Sequence, residues 1–302
     1  MGNSFFDKFI IGEWNLGVCN TNFIEEFSKI NEGGTLQLHV KWMRHSHSAS
    51  FFADPFIYKV TDNTAEILAE EYLFTKKKGV ISLCTIDRCK SKLLKCTRIL
   101  EETCHLSYPV FDPERSIIVP ESFRNGNWSS YDFDGKKISN KSAIISDGLI
   151  DATPVFWEGY WYVFYTKQPK ALSELYIYYS DSLYGNYKLH PLNPIKDDLR
   201  SGRCGGKFFS YEGCLYRVVQ DSSKIYGGAL HIMKVNALSP TEYNESYYCD
   251  IEVISDGKYN LGVHTLNFSD DFIIVDGYRE RHRPLFAIYI HKILPFFKRI
   301  FK

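Results

Sequence analysis

The stretch DATPVFWEGYWYVFYT at residues 151–166 decides the fold class of this chain. It opens on an aspartate, continues through an apolar run, turns at Glu158-Gly159 and ends in a second run rich in aromatic residues. Aromatic and β-branched residues favour strands, and a glycine-containing turn between two such runs is typical of a hairpin. The stretch therefore predicts a β-hairpin that begins with a carboxylate.

Four further stretches follow the same plan of a polar opening, a strand, a turn and a second strand. They are FFADPFIYKVTDNTAEILAEEY (51–72), LSYPVFDPERSIIVPESF (106–123), GRCGGKFFSYEGCLYRVVQD (202–221) and GVHTLNFSDDFIIVDGYR (262–279). The anchor residues of the five copies, 43 to 61 residues apart, are Asp54, Tyr108, Asp151, Arg203 and His264. A four-stranded propeller blade takes roughly 40–50 residues. The repeats predict an all-β, five-bladed β-propeller, with a two-sheet sandwich as the alternative.

Composition agrees with a β fold and excludes one class of partner. Further strands are predicted at LYIYYSD (175–181) and ALHIMKV (229–235), and a short helix at TNFIEEFSKI (21–30). Basic and acidic residues number 36 each, so the formal net charge is zero. Binding to nucleic acid through its phosphates needs a basic excess, and we therefore expect no nucleic-acid partner.

The two ends of the chain predict where the protein works. The opening MGNSFFDKFIIGEW has none of the three regions of a secretory signal, so we expect a cytoplasmic protein with reduced cysteines. Residues 1–287 are expected to form one propeller domain, followed by a basic aromatic tail at 288–302, IYIHKILPFFKRIFK. Such a composition suits an amphipathic segment on the anionic inner face of a membrane. A tail that docks on the propeller, or is disordered, is the alternative.

Several motifs resemble known carbohydrate-active propellers. FFADPF, DATPVF and YYSDSLYGNYKLHPLNPI (178–195) resemble the five-bladed propellers of glycoside hydrolase families 43 and 32. With SYPVF, VPES, SGRCGG, LYRVVQD, YGGAL and VHTLNF, they are more similar to the propeller at the N-terminus of plant glucosamine inositolphosphorylceramide transferases and to its bacterial counterparts. The resemblance covers roughly residues 50–280. It implies a pocket at the central mouth, where the blades begin.

The resemblance implies roles for two aspartates at that mouth. Asp54 corresponds to the carboxylate of blade one, which serves as base or nucleophile, and Asp151 to that of blade three, which tunes pKa values or stabilises the transition state. Glycosidic bond chemistry passes through an oxocarbenium-like state that such carboxylates stabilise, and neighbouring acids push their pKa values apart. Each aspartate has the alternative of being a turn residue, since Asp often opens a strand or turn.

The start of blade four departs from the hydrolase pattern. Hydrolases carry their general acid there as a glutamate, whereas this chain has Arg203 in the run SGRCGG. A guanidinium suits a phosphate or carboxylate, which favours a donor whose leaving group is already anionic. The alternative is that Arg203 pairs with Asp54 or Asp151. Glu121, in VPES, is the best substitute acid, with a loop-edge glutamate as its alternative.

The remaining matching motifs supply candidate sugar ligands. Hydroxyl partners and stacking faces are expected from Gln220, Asp221, Tyr226 and His264, with His47 roofing the pocket. His264 has the alternative of a satisfied strand histidine. His45 and His47 lie two residues apart and share a strand face, but no further ligands accompany them, so neither a metal nor a cofactor is expected.

Three functions follow, in order of preference. The first is a glycosyltransferase that joins a nucleotide or phosphate sugar to a cell-surface glycan or glycolipid, with a furanose donor or acceptor suggested by analogy with the wider group. The second is a family 43-like hydrolase of furanosides that uses Asp54, Asp151 and Glu121. The third is a non-catalytic glycan-binding propeller, because the plant proteins carry a separate catalytic domain after the propeller.

Overall fold

The computed structural model describes residues 10–282. Its N-terminal segment crosses between two blades before the first complete blade is built. The elements of this segment are β1 (Ile10–Cys19), α1 (Phe23–Ser28), β2 (Thr35–His39) and β3 (Lys41–Trp42). The sequence-predicted helix is therefore confirmed as α1, which Asn22 caps by accepting a hydrogen bond from the amide of Glu25.

Blades one and two are consecutive four-stranded antiparallel meanders. Blade one consists of β4 (Ser50–Val60), β5 (Thr64–Leu73), β6 (Lys78–Asp87) and β7 (Lys92–Leu100). Blade two consists of β8 (Ser107–Asp112), β9 (Ile117–Glu121), β10 (Trp128–Phe133) and β11 (Ile138–Ile145), with a 3-10 turn at Phe123–Asn125. The first strand of each blade is nearest the axis, and each has the hairpin predicted from the repeat.

Blades three and four repeat the plan with extra edge strands. Blade three consists of β12 (Ile150–Trp157), β13 (Tyr160–Thr166), β14 (Glu174–Ser180), β15 (Lys188–Leu189) and β16 (Lys196–Asp197). Blade four consists of β17 (Phe209–Tyr211), β18 (Cys214–Asp221), β19 (Ala229–Leu238) and β20 (Tyr243–Ile254), and β2 joins β20 in parallel at its outer edge.

Blade five closes the ring with strands from both ends of the described chain. It consists of β21 (Leu266–Ser269) and β22 (Phe272–His282), followed by β1 and then β3. β1 pairs with β22 over its full length, from Ile10 opposite His282 to Cys19 opposite Ile273. These closing strands join the two ends of the described chain in one sheet and so hold the ring closed. The prediction of a five-bladed propeller is confirmed.

Tight turns and apolar layers between blades explain why the repeats form blades. In blade three the turn residues Glu158 and Gly159 both have positive φ angles, 46° and 89°, which matches the right-handed twist of a two-residue hairpin. Apolar side chains fill the space between successive blades. Between blades one and two, the fully buried members of this layer include Phe56, Leu68, Ile81, Tyr108 and Ile118.

Two expectations about the chain ends are not addressed by these residues. The predicted tail at 288–302 and the predicted domain boundary at 287 lie outside the described residues. Within residues 10–282, no helix is long and apolar enough to cross a membrane.

Candidate functional site

Three blades begin with the same strained backbone conformation at the central mouth. Asp54, Tyr108 and Asp151 have φ angles of 49°, 43° and 45°, in the left-handed region that non-glycine residues rarely adopt. Each of these conformations costs on the order of 1–3 kcal/mol, so the surroundings must hold it in place. They do so with carboxylates: the amide of Asp54 donates to Asp276 (3.0 Å), that of Tyr108 to Asp54 (3.2 Å) and that of Asp151 to Glu121 (3.0 Å).

Asp54 is buried at the centre of this arrangement. One carboxylate oxygen accepts the Tyr108 amide, and the other accepts the hydroxyl of Thr265 at 2.8 Å and lies 3.7 Å from Nε2 of His264. Burial raises the pKa of Asp54 to about 6, against the opposing charge of His264 and with help from the nearby carboxylates. The side chain therefore changes between acid and carboxylate close to neutral pH.

Asp151 is held by two donors from blade four. Its Oδ2 accepts Nε–H of Arg203 at 2.5 Å and an amide N–H of Gln220 at 2.7 Å. Arg203 is buried, and its guanidinium carbon lies 5.3 Å from the ring centroid of Tyr226. The alternative noted for Arg203 in the sequence, internal pairing with an aspartate, is thus what the structure has.

Glu121 reaches the mouth from the end of β9. Its Oε2 accepts the amide of Asp151, and the residue is buried. Burial and the negative charge of Asp151 raise the pKa of Glu121 well above its usual range, although Arg203 opposes the shift. Glu121 therefore keeps its proton to a higher pH than an ordinary glutamate, beside an aspartate that faces a cation.

Glu70 is a fourth carboxyl group of the mouth that the sequence reasoning missed. It lies on β5 opposite Ala53, the neighbour of Asp54. Burial and then the charge of Asp54 raise the pKa of Glu70 well above its usual range. Nδ1 of His105 accepts the Gly79 amide, so Nε2 carries the proton and points to Glu70 Oε1 at 3.5 Å.

Asp276 and His264 complete the mouth from blade five. Oδ1 of Asp276 accepts the amides of His264 and Thr265, both at 3.0 Å. Oδ2 lies 2.6 Å from Nδ1 of His264, although no aligned hydrogen bond joins them. Burial alone would lower the pKa of His264, but the charges of Asp276 and Asp54 outweigh it and raise the pKa. The ring also stacks on Trp14, with centroids 3.8 Å apart.

This mouth can be compared with known proteins. The model of the family described as "Glucosamine inositolphosphorylceramide transferase 1, N-terminal" matches residues 39–261. The chain belongs to this family. The resemblance seen in the motifs is therefore confirmed, and all of the mouth residues from Asp54 to Gln220 lie inside the matched range of this glucosamine inositolphosphorylceramide transferase N-terminal family.

Curated members of the family are plant proteins. The chain is 34% identical to glucosamine inositolphosphorylceramide transferase 1 of Arabidopsis thaliana over 79% of its own length, and 32% identical to the protein of that name from Oryza sativa subsp. japonica over 66%. It covers 34% and 28% of those two proteins, about a third of each.

Solved structures with the same fold are glycoside hydrolases. The catalytic domain of a family 62 α-L-arabinofuranosidase from Coprinopsis cinerea gives a TM-score of 0.55 at 12% identity, covering 80% of this chain and 85% of that domain. An exo-β-1,3-galactanase from Clostridium thermocellum gives 0.51 at 11% identity, covering 69% of this chain and 53% of the other. At such low identities these similarities establish the fold of the family member and nothing further.

The structure brings seven of the nine predicted site residues together in this family member. They are Asp54, Glu121, Asp151, Arg203, Gln220, Tyr226 and His264. Tyr226 is 44% exposed and meets the His264 ring at a right angle, with centroids 5.5 Å apart, so part of its surface is open to a ligand.

Two predicted ligands lie elsewhere. Asp221 follows Gln220 on β18 and so points to the opposite face, where it contacts Nε2 of His231 at 3.0 Å. His47 lies 3.9 Å from Glu71, on the face of β5 turned away from Glu70. Successive side chains of a strand point to opposite faces. Asp221 therefore points away from Gln220, and His47 contacts Glu71 and not Glu70.

Glu70 and Asp276 had a signal in the sequence. Each lies on the second strand of its hairpin, in AEEY and VDGY, as Glu121 and Gln220 do in VPES and VVQD. The repeat therefore places a polar side chain on the second hairpin strand of four blades, a pattern visible once the hairpins are aligned.

Three side chains of the mouth form a candidate cation site. The ligand atoms of Asp54, His264 and Asp276 all lie within 4.8 Å of one another, and all three residues are buried. Carboxylate oxygen and imidazole nitrogen are ligands that several divalent cations accept. Among residues 10–282 this is the group with metal-ligand spacing, and it differs from the His45 and His47 pair considered in the sequence.

Proposed function

We propose that this chain is a glycosyltransferase that acts in the biosynthesis of a glycolipid or cell-surface polysaccharide, with the central mouth as its active site. Its family and the name of its plant relatives support transfer of a sugar to a phosphorylated sphingolipid or a similar acceptor. The observation that carries the choice of site is the division of protonation states. The pKa of Asp54 is about 6, whereas those of Glu70 and Glu121 lie well above their usual range.

In this proposal Asp54 is the general base. Above about pH 6 its carboxylate accepts the proton of an acceptor hydroxyl as that oxygen bonds to the anomeric carbon of the donor sugar. The bond from the anomeric carbon to the phosphate oxygen of the donor breaks, and the phosphate leaves as an anion with the bonding electrons. Asp151, oriented by Arg203 and Gln220, stabilises the positive charge that develops on the sugar.

The proposed donor is a nucleotide sugar or a sugar phosphate. Arg203 uses Nε to hold Asp151 and donates from Nη1 to the carbonyl of Ala171 at 3.4 Å. The N–H groups left over beside Tyr226 are the proposed contact for the donor phosphate. Gln220 is the proposed partner of a sugar hydroxyl, because its buried Oε1 has no hydrogen-bond partner among the described residues. Tyr226 offers its exposed face for stacking on the sugar.

Hydrolysis is the second candidate, and a specific observation favours it. The sequence lacks the usual acid in blade four, but Glu70 and Glu121, whose pKa values are raised, are candidate acids from blades one and two. With water in place of the acceptor, Asp54 would activate the nucleophile, and one of these acids would protonate the leaving oxygen.

Product analysis by mass spectrometry separates the candidates. The protein and its Asp54→Asn variant are incubated with nucleotide sugars plus phosphoinositol-containing or glycan acceptors, and separately with aryl furanosides. A transfer product that the variant fails to form supports the proposal, with a rate that rises as the pH passes about 6. Release of free sugar without any transfer product would reject the transferase proposal in favour of the hydrolase. Saturable sugar binding without any turnover would reject both enzymatic candidates in favour of a glycan-binding role.

We propose further that the protein works at the cytoplasmic face of a membrane, through the basic aromatic tail at 288–302. Basic and aromatic side chains together favour an anionic interface. The test is sedimentation with phosphatidylserine vesicles and with phosphatidylcholine vesicles, for the full chain and for a chain that ends at residue 287. Equal sedimentation of the two chains with the anionic vesicles would overturn this proposal.

A further inference from the structure

A large cleft adjoins the mouth but has the opposite charge. The cleft is bounded by β1, residues 39–51, residues 89–91 and residues 254–259, and its volume is about 1130 Å³. Trp14 connects the two sites, because it lines the cleft and its ring stacks on the His264 ring of the mouth. A molecule seated in the cleft therefore lies next to the carboxylates.

The charges that line the cleft are mostly positive. Six basic residues line it, Lys41, Arg44, Lys90, Lys258, Arg279 and Arg281, against two acidic ones, Glu13 and Asp256. Glu13 is shared, since its two oxygens accept Nε–H of Arg279 at 2.7 Å and of Arg281 at 2.6 Å. One carboxylate cannot neutralise two guanidinium groups, so a net positive charge remains. The cleft attracts anions, although the chain as a whole has no net charge.

Unpartnered polar atoms give an independent indication of a ligand. Among the described residues, ten buried side-chain nitrogen or oxygen atoms have no hydrogen-bond partner, and four of them belong to residues that line this cleft. These four are Asn15 Oδ1, Trp42 Nε1, His45 Nδ1 and Ser91 Oγ. Leaving such an atom unpaired costs about 1–3 kcal/mol, so a polar occupant toward which these buried atoms turn would be stabilised.

We propose that the cleft binds a phosphate ester of a sugar or polyol. The guanidinium and ammonium groups match a phosphate, and arginine does so with two parallel N–H groups. The orphaned amide, hydroxyl and indole groups suit the hydroxyls of a sugar or polyol, and Trp14 and Tyr259 add aromatic surface. The volume exceeds what a lone phosphate fills. This site is separate from the catalytic proposal, because none of its basic residues belongs to the mouth.

The phosphate ester has two sources, a membrane lipid headgroup and a soluble metabolite. Isothermal titration of the full chain with myo-inositol 1-phosphate, glucose 6-phosphate and inorganic phosphate, none of which is a glycosyl donor, measures the soluble class. Sedimentation with phosphatidylinositol vesicles measures the lipid class. We expect micromolar to millimolar affinity for at least one ester, weaker binding of inorganic phosphate, and a decline in affinity as salt rises.

Matched variants locate the binding. Lys90→Ala/Lys258→Ala removes two exposed cations of the cleft and should weaken ester binding by about tenfold or more. Lys136→Ala/Lys188→Ala removes two exposed cations of blades two and three and should leave it unchanged. Asp54→Asn should also leave it unchanged, which keeps failure of this site distinct from failure of the catalytic proposal. The Trp42 indole N–H signal in a nitrogen–proton spectrum should shift on binding.

Two results would overturn the proposal. One is the absence of measurable binding for every ester and for the lipid vesicles at millimolar concentration. The other is binding that survives Lys90→Ala/Lys258→Ala at full strength but is lost in Arg203→Met, which would place the phosphate in the mouth. Binding of the soluble esters alone, or of the vesicles alone, supports the site and identifies its source.

Discussion

Two buried clusters of charged side chains in this propeller differ in their ratio of cations to carboxyl groups. In the mouth, two cationic partners, Arg203 and His264, face five carboxyl groups, those of Asp54, Glu70, Glu121, Asp151 and Asp276. In blade four, a single carboxylate, Glu245, faces two cations. Arg217 donates to it from Nε at 2.9 Å and from Nη2 at 2.6 Å, and Lys196 forms an ion pair with it.

The pKa shifts of the two clusters run in opposite directions. Burial would raise the pKa of Glu245, but Arg217 and Lys196 lower it to about 2. In the mouth, burial and neighbouring carboxyl groups raise the pKa values of Glu70 and Glu121. In the Glu245 cluster each charged group has an ion-pair partner, so no ligand is needed to pair it, whereas a cluster with excess carboxyl groups is costly to maintain and indicates a site kept for chemistry. The difference can be tested by breaking each cluster in turn.

The largest expected effect is a loss of stability when the Glu245 cluster is broken. Arg217 is fully buried and also donates to the carbonyl of Ser201 at 2.6 Å. Arg217→Met leaves Glu245 buried with Lys196 alone, so the free energy of unfolding should fall by about 3–5 kcal/mol. Urea denaturation followed by tryptophan fluorescence measures it.

The same substitution at a partly exposed ion pair is the control. Arg115 pairs with Asp112 at 2.8 Å near the surface, and Arg115→Met should cost less than about 1 kcal/mol. If Arg217→Met and Arg115→Met lost similar stability, the pairing of Arg217 with Glu245 would not stabilise the fold more than a surface ion pair does.

The next effect is on activity rather than stability. Asp54→Asn preserves the left-handed backbone, which asparagine tolerates, and removes the proposed base. We expect kcat to fall about 10²-fold or more with no loss of thermal stability. Asp221→Asn is the matched control, since Asp221 lies on the outward face of β18, and it should retain full activity. Comparable rates for Asp54→Asn and the unmodified protein would remove Asp54 as the base.

The parts of the molecule also differ in how well the sequence predicts them. The five hairpins were visible as repeats, and with them Asp54, Asp151 and His264 at the start of blades. The sequence did not reveal the closing strand β1, because a closing strand lies far along the chain from its partner, here β22. Pairing over such a distance leaves no local pattern of turns.

The sequence was least informative about which neighbour of a pair faces the axis. Gln220 and Asp221, or Glu70 and Glu71, differ only in register, and a shift of one residue reverses the face. The bulge at Asp54 between Ala53 and Phe56 sets that register. Protonation states were also beyond the sequence, because they depend on burial and on carboxyl groups contributed by different blades.

The smallest expected effect is a change in how stability depends on pH. A carboxyl group with a raised pKa in the folded state binds its proton more tightly there. Glu70 therefore adds stability in acid, and that contribution is lost as the pH rises from about 4.5 through its folded pKa. Glu70→Gln removes this dependence. Between pH 5 and 7, the free energy of unfolding of the unmodified protein should fall relative to the variant by up to about 1.4 kcal/mol per pH unit.

Glu71, the next residue, provides a control of opposite sign. Although burial alone would raise the pKa of Glu71, Arg98, Ser82 and Ser50 lower it, so its contribution is present above about 4.5 and is lost in acid. Glu71→Gln should therefore destabilise by a constant amount between pH 5 and 7, and by less only as the pH falls below about 4.5. Urea denaturation at pH 5, 6 and 7 measures both variants. Parallel curves for Glu70→Gln and the unmodified protein would mean that Glu70 titrates as an ordinary surface glutamate, and the mouth would then lack its proposed proton donor in blade one.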